Sequence, residues 1–295
     1  MLSILIPTYN YNVLPLVTQL HSQCTEAGLT FEIIVIDDGS HAVVNKQNAK
    51  INTLGHCTFR ELEANTGRSS IRNLLAGEAH YSWLLFLDAD TLPVQDTLIK
   101  NYLPFMNGEE KVVYGGIRYQ ADKPADSALL RWTYGNEREA LPAQERKKSP
   151  YLRLLTLNFL IHKSVFSKVR FNEAIPNLRH EDTLFSYELK AARIKVMHIE
   201  NNVYHLGLES SSIFLKKSEE SLEGLKYLID NELLPAEYAG IGNLYNSITS
   251  TGMRSIFATL HKAMQAKMKK NLTGSSPSLL VFDLFRLGYI CSLKK

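Results

Sequence analysis

Between residues 3 and 199, short apolar runs alternate with longer segments whose apolar positions recur every three or four residues. The runs predict strands over 3–6, 31–36, 57–61, 83–87, 111–119, 154–161 and 195–199. The periodic segments predict helices over 13–27, 69–79, 94–106 and 181–192. In the first helix Leu16, Leu20 and Cys24 fall four apart; in the second Ile71, Leu74 and Leu75 share a side. The run 31–36 is dense in isoleucine and valine, as in strands covered on both faces of a parallel sheet. Gly115 and Gly116 interrupt the run 111–119. This order predicts an α/β fold with a mostly parallel sheet and right-handed crossovers.

Two regions depart from the alternation. Residues 120–150 are polar and carry Pro124, Gly135, Pro142 and Pro150, which predicts an excursion from the sheet in the form of a mobile lid. Beyond Gly207 the strand signal stops: 214–270 reads as helices, and a Gly/Ser/Pro break at 274–277 precedes a last short helix over 279–290. The expected division is an α/β domain over 1–210 and a helical region over 211–295.

Composition narrows the classes. With 45% apolar and 21% charged residues among 295, the chain has enough apolar material for a large core and is not of the disordered class. A net charge of +3 without dense basic clusters excludes a nucleic-acid binder. Cys24, Cys57 and Cys291 are odd in number and widely spaced, which fits buried thiols in a reducing compartment rather than a disulfide framework. Only residues 2–6 are apolar at the start, and no run has the roughly 18–20 apolar residues of a membrane span, so the expectation is a cytosolic chain.

The tail qualifies that expectation. Residues 254–270 carry Arg254, Lys262, Lys267, Lys269 and Lys270 and no acid. Ile256, Leu260, Met264 and Met268 recur four apart, with Phe257 beside them. The last segment adds Leu280, Val281, Leu284, Phe285, Leu287 and Ile290, with Arg286, Lys294 and Lys295. Such stripes either pack on the chain's own core or a second subunit, or lie on an anionic membrane surface as a peripheral contact.

The chemistry sits at strand ends, where ligands bind in open α/β sheets. The first strand runs into Pro7-Thr8-Tyr9-Asn10, the second into Asp37-Asp38-Gly39-Ser40 and the fourth into Asp88-Ala89-Asp90. In extended chain Asp88 and Asp90 point the same way, and two such carboxylates repel unless a cation or hydrogen bonds compensate. Oxygen ligands of this kind suit Mg²⁺ or Mn²⁺, which would hold a diphosphate; the plainer reading is a helix cap. Of Asp37 and Asp38, one is expected to cap the turn and the other to contact a ligand. Tyr9 reads as a stacking platform or as core. Arg68 and Arg72 lie one helical turn apart and either face a diphosphate or stand in solvent. Glu181 and Asp182 open a helix, as a general base or as acids that favour the helix dipole. His205 reads as a metal ligand or a loop histidine. Neither G-x-x-x-x-G-K-S/T nor G-x-G-x-x-G is present.

Taken in order, Ile4 to Asn10, Glu32 to Ser40, Asn65-x-Gly67, Trp83 to Asp90 and Glu181-Asp182 resemble the inverting family 2 glycosyltransferases. The resemblance spans about residues 1–205 and implies the GT-A fold: a single Rossmann-like central sheet flanked by helices, here with a C-terminal helical appendage. It implies a nucleoside-diphosphate sugar donor, UDP being the commonest, an acceptor hydroxyl on a glycan or lipid-linked saccharide, and Mn²⁺ or Mg²⁺ as cofactor. By the same resemblance Tyr9 and Asp38 contact the base, Asp90 ligates the cation, and Asp88 lies nearer the ribose and the metal's water shell. Asp182, with Glu181 beside it, is the general base, and His205 an additional metal ligand. Pro7, Thr8, Asn65, Arg68, Arg72 and Ala89 complete the donor-binding set. Arg68 stands where the family often has a small residue, and Lys168 to Glu173 replaces the usual Gly-Gly-Phe-Asp. A sugar-phosphate nucleotidyltransferase is the alternative, but it would have a Gly-rich first loop with a basic residue, which Pro7 to Asn10 is not. A non-catalytic scaffold on the same fold is the other.

Overall fold

The computed structural model describes residues 1–177 and 179–294; Lys295, counted above among the cations of the tail, lies outside the described residues. The strands in chain order are β1 (Leu2–Thr8), β2 (Phe31–Asp37), β3 (Cys57–Glu61), β4 (Trp83–Leu87) and β5 (Thr91–Pro93), then β6 (Lys111–Tyr114), β7 (Ile117–Arg118), β8 (Asn158–His162), β9 (Lys195–His198) and β10 (Val203–His205). The helices are α1 (Leu14–Glu26), α2 (Asn45–Asn48), α3 (Arg68–Glu78), α4 (Leu98–Tyr102), α5 (Leu129–Tyr134) and α6 (Ala143–Arg146). After these come α7 (Lys163–Lys168), α8 (Glu181–Ala191), α9 (Ser211–Asp230), α10 (Gly240–Ser250), α11 (Arg254–Leu272) and α12 (Leu279–Ser292).

Seven strands form the central sheet in the order β3-β2-β1-β4-β8-β6-β9. All run parallel except β8, which is antiparallel to both β4 and β6. Successive side chains of a strand face opposite sides, and here both sides are covered. Ile4, Ile6, Ile33, Val35 and Leu85 face one core with Leu16, Val17 and Leu20 of α1. Leu5, Ile34, Ile36, Leu84 and Phe86 face the other with Ile71 and Leu75 of α3 and Phe185 of α8. That double burial is why these strands read as unbroken apolar runs.

A second, three-stranded sheet in the order β5-β10-β7 flanks the first. Its strands are two or three residues long, too short to leave a periodic signal. The predicted strand over 111–119 therefore divides. Tyr114 ends β6 in the large sheet and Ile117 begins β7 in the small one. Gly116 turns the chain between them at φ +97°, and a Cβ on Gly115 would come within 2.4 Å of Asn201 O and the Tyr102 hydroxyl. The buried Asn158 amide spans the junction, donating to Gly116 O and Asn201 O at 2.9 Å and accepting from the Tyr102 hydroxyl at 2.8 Å.

Three other expectations are corrected. The helix over 94–106 shrinks to α4 and a 3-10 turn at Leu103–Phe105, since β5 occupies its approach and Pro104 its end. The strand over 154–161 starts only at Asn158, because residues 155–157 line the cavity described below. From Leu129 onward the 120–150 segment is mostly helical and held to the sheet rather than loose, while 120–127 is largely exposed. Arg131 donates to Glu139 at 3.0 Å through both terminal nitrogens, and the fully buried Arg146 donates to the Leu141 and Ile199 carbonyls at 2.9 Å.

From Ser211 onward the chain is helical. Leu222, Leu225 and Leu228 of α9 pack with Leu184 of α8 and with Ile290 and Cys291 of α12. Leu215, Leu272, Phe282 and Phe285 pack with Leu130 of α5. The three cysteines are buried and unpaired.

Candidate active site

The ends of β1, β2 and β4 meet at one edge of the large sheet, and each loop is fixed by a side chain beside it. Asp37 is fully buried, and its carboxylate accepts from the Ser40 N–H at 2.7 Å and the Ser40 hydroxyl at 2.8 Å. Asp38 accepts from the Thr66 N–H at 2.7 Å, the Thr66 hydroxyl at 2.8 Å and the Gly67 N–H at 3.0 Å. Both aspartates thus organise loops, where a division of labour was expected. Asp38 still borders a pocket of about 260 Å³ with Pro7, Thr8, Tyr9, Ala89 and Asp90. Tyr9 is 58% exposed at its mouth, free to stack. Asn65 stays outside this pocket; its amide donates to Asp38 O at 3.1 Å.

Arg72 rises from α3 beneath the pocket, buried, with its guanidinium 2.8 Å from Asp88 Oδ1 and 3.7 Å from Glu181 Oε1. Burial works against its charge, but Asp88 and then Glu181 outweigh it, so Arg72 holds its proton more tightly than usual. Arg68, more exposed, lies 4.0 Å from the same Glu181 oxygen. Burial raises Asp88; Arg72 opposes that shift and the Asp90 charge adds to it. Asp88 is therefore spoken for by Arg72, while Asp90 is not.

The small sheet supplies what Asp90 lacks. β10 pairs antiparallel with β5, His205 opposite Thr91, and Leu206 N–H donates to Asp90 O at 2.8 Å. This register brings His205 Nε2 to 3.5 Å from Asp90 Oδ2. His205 Nδ1 is buried without a partner among the described residues. Gly207 completes the cradle: a Cβ there would lie 2.1 Å from Asp90 Oδ2. Among the described residues no three His, Cys, Asp or Glu side chains converge as a closed metal cluster. One carboxylate and one imidazole still suit Mg²⁺ or Mn²⁺, which take few ligands from protein and the rest from water and phosphate oxygens. The residues present fit such an ion held together with a diphosphate.

On the other side of Asp88 and Asp90 opens a cavity of about 460 Å³. Leu155 to Leu157 form one wall, α8 a second, and Lys217, Ser221, Phe282 and Arg286 from α9 and α12 a third. Arg179 and His180 enter it on successive left-handed residues, φ +72° and +68°, a conformation that L residues rarely adopt. Burial and then Arg286 lower His180 to about 4, so the ring is neutral; it bonds Ser221 Oγ at 2.8 Å and Thr183 Oγ1 at 2.9 Å. Asp182 follows at the start of α8, where Oδ1 accepts from the Thr183 N–H at 2.7 Å. Burial and then the Glu181 charge push Asp182 up to about 6. Sequence reasoning missed Arg131, Arg179, Lys217 and Arg286; they lie on no shared period, and only the fold brings them to one cavity.

Among curated proteins none matches this sequence. The structure is similar to TarS from S. aureus, at 18% identity over 76% of this chain and 39% of that one, with a TM-score of 0.52. It is also similar to TarS 1-349 from S. aureus in complex with UDP-GlcNAc, at 19% identity over 76% of this chain and 66% of that one, TM-score 0.51. The mannosyltransferase PcManGT from Pyrobaculum calidifontis, in complex with GDP-Man and Mn²⁺, gives 12% identity, 97% of this chain, 85% of that one and a TM-score of 0.56. At these identities the likeness is one of fold. The family pattern described as glycosyl transferase family 2 matches residues 3–170, which hold the ends of β1, β2 and β4 and stop short of Asp182 and His205. That match extends over more than half of the chain, and the chain belongs to glycosyl transferase family 2.

Proposed function

We propose that the chain transfers a sugar from a nucleoside-diphosphate donor to an acceptor hydroxyl, with inversion at the anomeric carbon. The observation that carries this reading is the position of Asp88 and Asp90, which border both the pocket under Tyr9 and the cavity that holds Asp182. A donor in the first space and an acceptor in the second would meet over these carboxylates. Tyr9 stacks on the base, and Arg68 and Arg72 face the diphosphate. Arg72, held between Asp88 and Glu181, is already oriented and needs no reorganisation as charge develops. Asp90 and His205 would hold Mn²⁺ or Mg²⁺, which supplies charge neutralisation to the leaving diphosphate. Asp182 takes the proton of the acceptor hydroxyl as that oxygen attacks from the opposite face. UDP is the favoured nucleotide; the similar structures contain UDP-GlcNAc in one case and GDP-Man with Mn²⁺ in another, so both bases belong in the test.

The test is calorimetric titration of UDP- and GDP-sugars into the whole chain and into Asp90→Ala, with Mn²⁺ and with chelator. One donor should bind in Mn²⁺ with an affinity that falls about tenfold or more on the substitution or on chelation. Equal affinity in all four conditions would overturn the role of Asp90.

A peripheral membrane partner belongs to the same proposal. No helix among the described residues is long and apolar enough to cross a membrane. On α11, however, Ile256 is 58%, Leu260 53% and Met264 45% exposed, while Phe257, His261, Met268 and Leu272 turn inward. Three apolar side chains along one outward stripe, beside Lys267 and Lys270 and no acid, match an anionic lipid surface. An enzyme seated there would meet lipid-linked saccharide acceptors.

A further inference from the structure

The cavity beside Asp182 is lined by six Arg and Lys side chains and six carboxylates, but they are not all paired with one another. Arg72 is paired with Asp88, Arg131 with Glu139, and Lys217 with Glu209. Glu181 is shared by Arg72 and Arg68. Asp90 faces His205, and Asp182 is left to the acceptor. Two guanidinium groups remain. Among the described residues neither Arg179 nor Arg286 has a carboxylate within 4.0 Å or a side-chain hydrogen bond, and Arg179 Nε is buried with no partner at all. Arg286 lies across the Phe282 ring, 5.4 Å from its centroid, so its planar face is held while its edge points elsewhere. Both groups flank His180, which each of them helps keep neutral.

Neither residue borders the pocket under Tyr9, where the donor is proposed to lie; both border the cavity on the Asp182 side. Both side chains are half-buried, a buried guanidinium nitrogen without a partner is costly, and a second unpaired guanidinium in the same wall adds to the call for an anion. A carboxylate brings one charge on two oxygens. A phosphate monoester brings ~1.5–2 charges and three acceptor oxygens, enough to engage both forks at once. Resting on the transferase reading above, we propose that Arg179 and Arg286 bind a phosphoryl group on the acceptor, so that the hydroxyl-bearing acceptor is a phosphorylated saccharide, polymer unit or lipid-phosphate-linked saccharide rather than a neutral glycan. Phe214, in the same wall, would cover an apolar face of the acceptor.

The experiment uses the full chain saturated with UDP or GDP, whichever binds, in Mn²⁺, so that the donor phosphate positions are filled. Glucose 1-phosphate, glucose, glucuronate and geranyl phosphate are then titrated calorimetrically. The phosphorylated probes should bind and glucose and glucuronate should not, within the range measured. Arg179→Gln and Arg286→Gln should each weaken glucose 1-phosphate about tenfold, leave nucleotide affinity within about twofold, and melt near the parent, with Arg286→Lys recovering part of the loss. Tighter binding of geranyl phosphate than of glucose 1-phosphate puts the phosphoryl group on a lipid carrier; the reverse puts it on the saccharide. If no phosphorylated probe binds the nucleotide-loaded protein, or both Gln variants lose nucleotide to the same degree, the assignment is wrong. Failure of every nucleotide to bind at the outset is a different result and overturns the transferase reading instead.

Discussion

A base must be deprotonated to act, and the Asp182 carboxyl, raised to about 6 by burial and the Glu181 charge, reaches that state only near neutrality. The rate with acceptor should therefore climb with pH through an acid limb centred near 6. Asp182→Asn should remove that limb and lower turnover by about 10² or more while donor affinity stays within a few-fold. The same shift fixes a stability effect of known sign. The folded chain holds this proton more tightly than the unfolded chain, whose value is the ordinary 3.8, so the stabilising contribution is complete below 3.8 and lost as pH rises through about 6. Asparagine cannot ionise, and the Tm gain of Asp182→Asn should grow over that window and level off above it; a gain that shrinks with pH would contradict the assignment. Gly207 gives a second contrast. An alanine Cβ would collide with the tip of Asp90 and with no backbone atom, so the fold gives way easily but the carboxylate must move. Gly207→Ala should keep its Tm within a few degrees and lose donor affinity about tenfold. At this scale the sequence showed which residues carry charge at strand ends, and Asp88, Asp90 and Asp182 do share one cavity. It could not show that Asp38 spends both its oxygens on residues 66 and 67, nor that Asn65 turns back to the Asp38 carbonyl, because those bonds depend on how two loops meet.

Among the elements, the long apolar strands and the helices α1, α3 and α8 were legible because each buries a regular stripe or both faces. The small sheet was not, although it carries His205 to Asp90, since two or three residues have no period. The tail was half legible. Its stripe on 256, 260, 264 and 268 divides: Met268 turns to the core and the other three face outward, so only part of the stripe is spent on the chain's own core. Truncation near residue 250 would remove Phe282, Phe285 and Ile290 from two cores and tests nothing about the surface. The triple variant Ile256→Ser, Leu260→Ser, Met264→Ser touches only exposed side chains and should melt within a few degrees of the parent. It should lose most co-sedimentation with vesicles of anionic lipid, and the parent should bind those vesicles less in high salt and neutral vesicles hardly at all. Sedimentation unchanged by the triple substitution would remove α11 from the proposal.

For the whole molecule, the division at residue 210 is proposed as a change of architecture and not of cooperativity. Leu184 shares a core with Leu222 and Ile290, and Leu130 shares one with Leu215 and Phe282, so cores straddle the division. Heating the whole chain should then give one transition, with the signal of Trp83 and Trp132 and the far-ultraviolet helix signal falling together. Two separated transitions would make the helical region an independent unit. None of this was readable from composition, because the amphipathic helices beyond 210 announce a buried face but not what buries it.

The reversed strand β8 has a consequence for how such a molecule can diversify. The sheet edge that bears Asp90 is where β6 ends and, since β8 runs backwards, also where β8 begins. The chain between them, including the wall at 155–157, departs from and returns to one rim. A closed detour of this kind can grow or shrink beyond β7 while the seven strands of the large sheet keep their register, and each doubling of its length adds only about 0.6 kcal/mol in closure entropy. Insertion or deletion here can therefore reshape the wall at 155–157 while β1, β2 and β4 keep the pocket under Tyr9 in place.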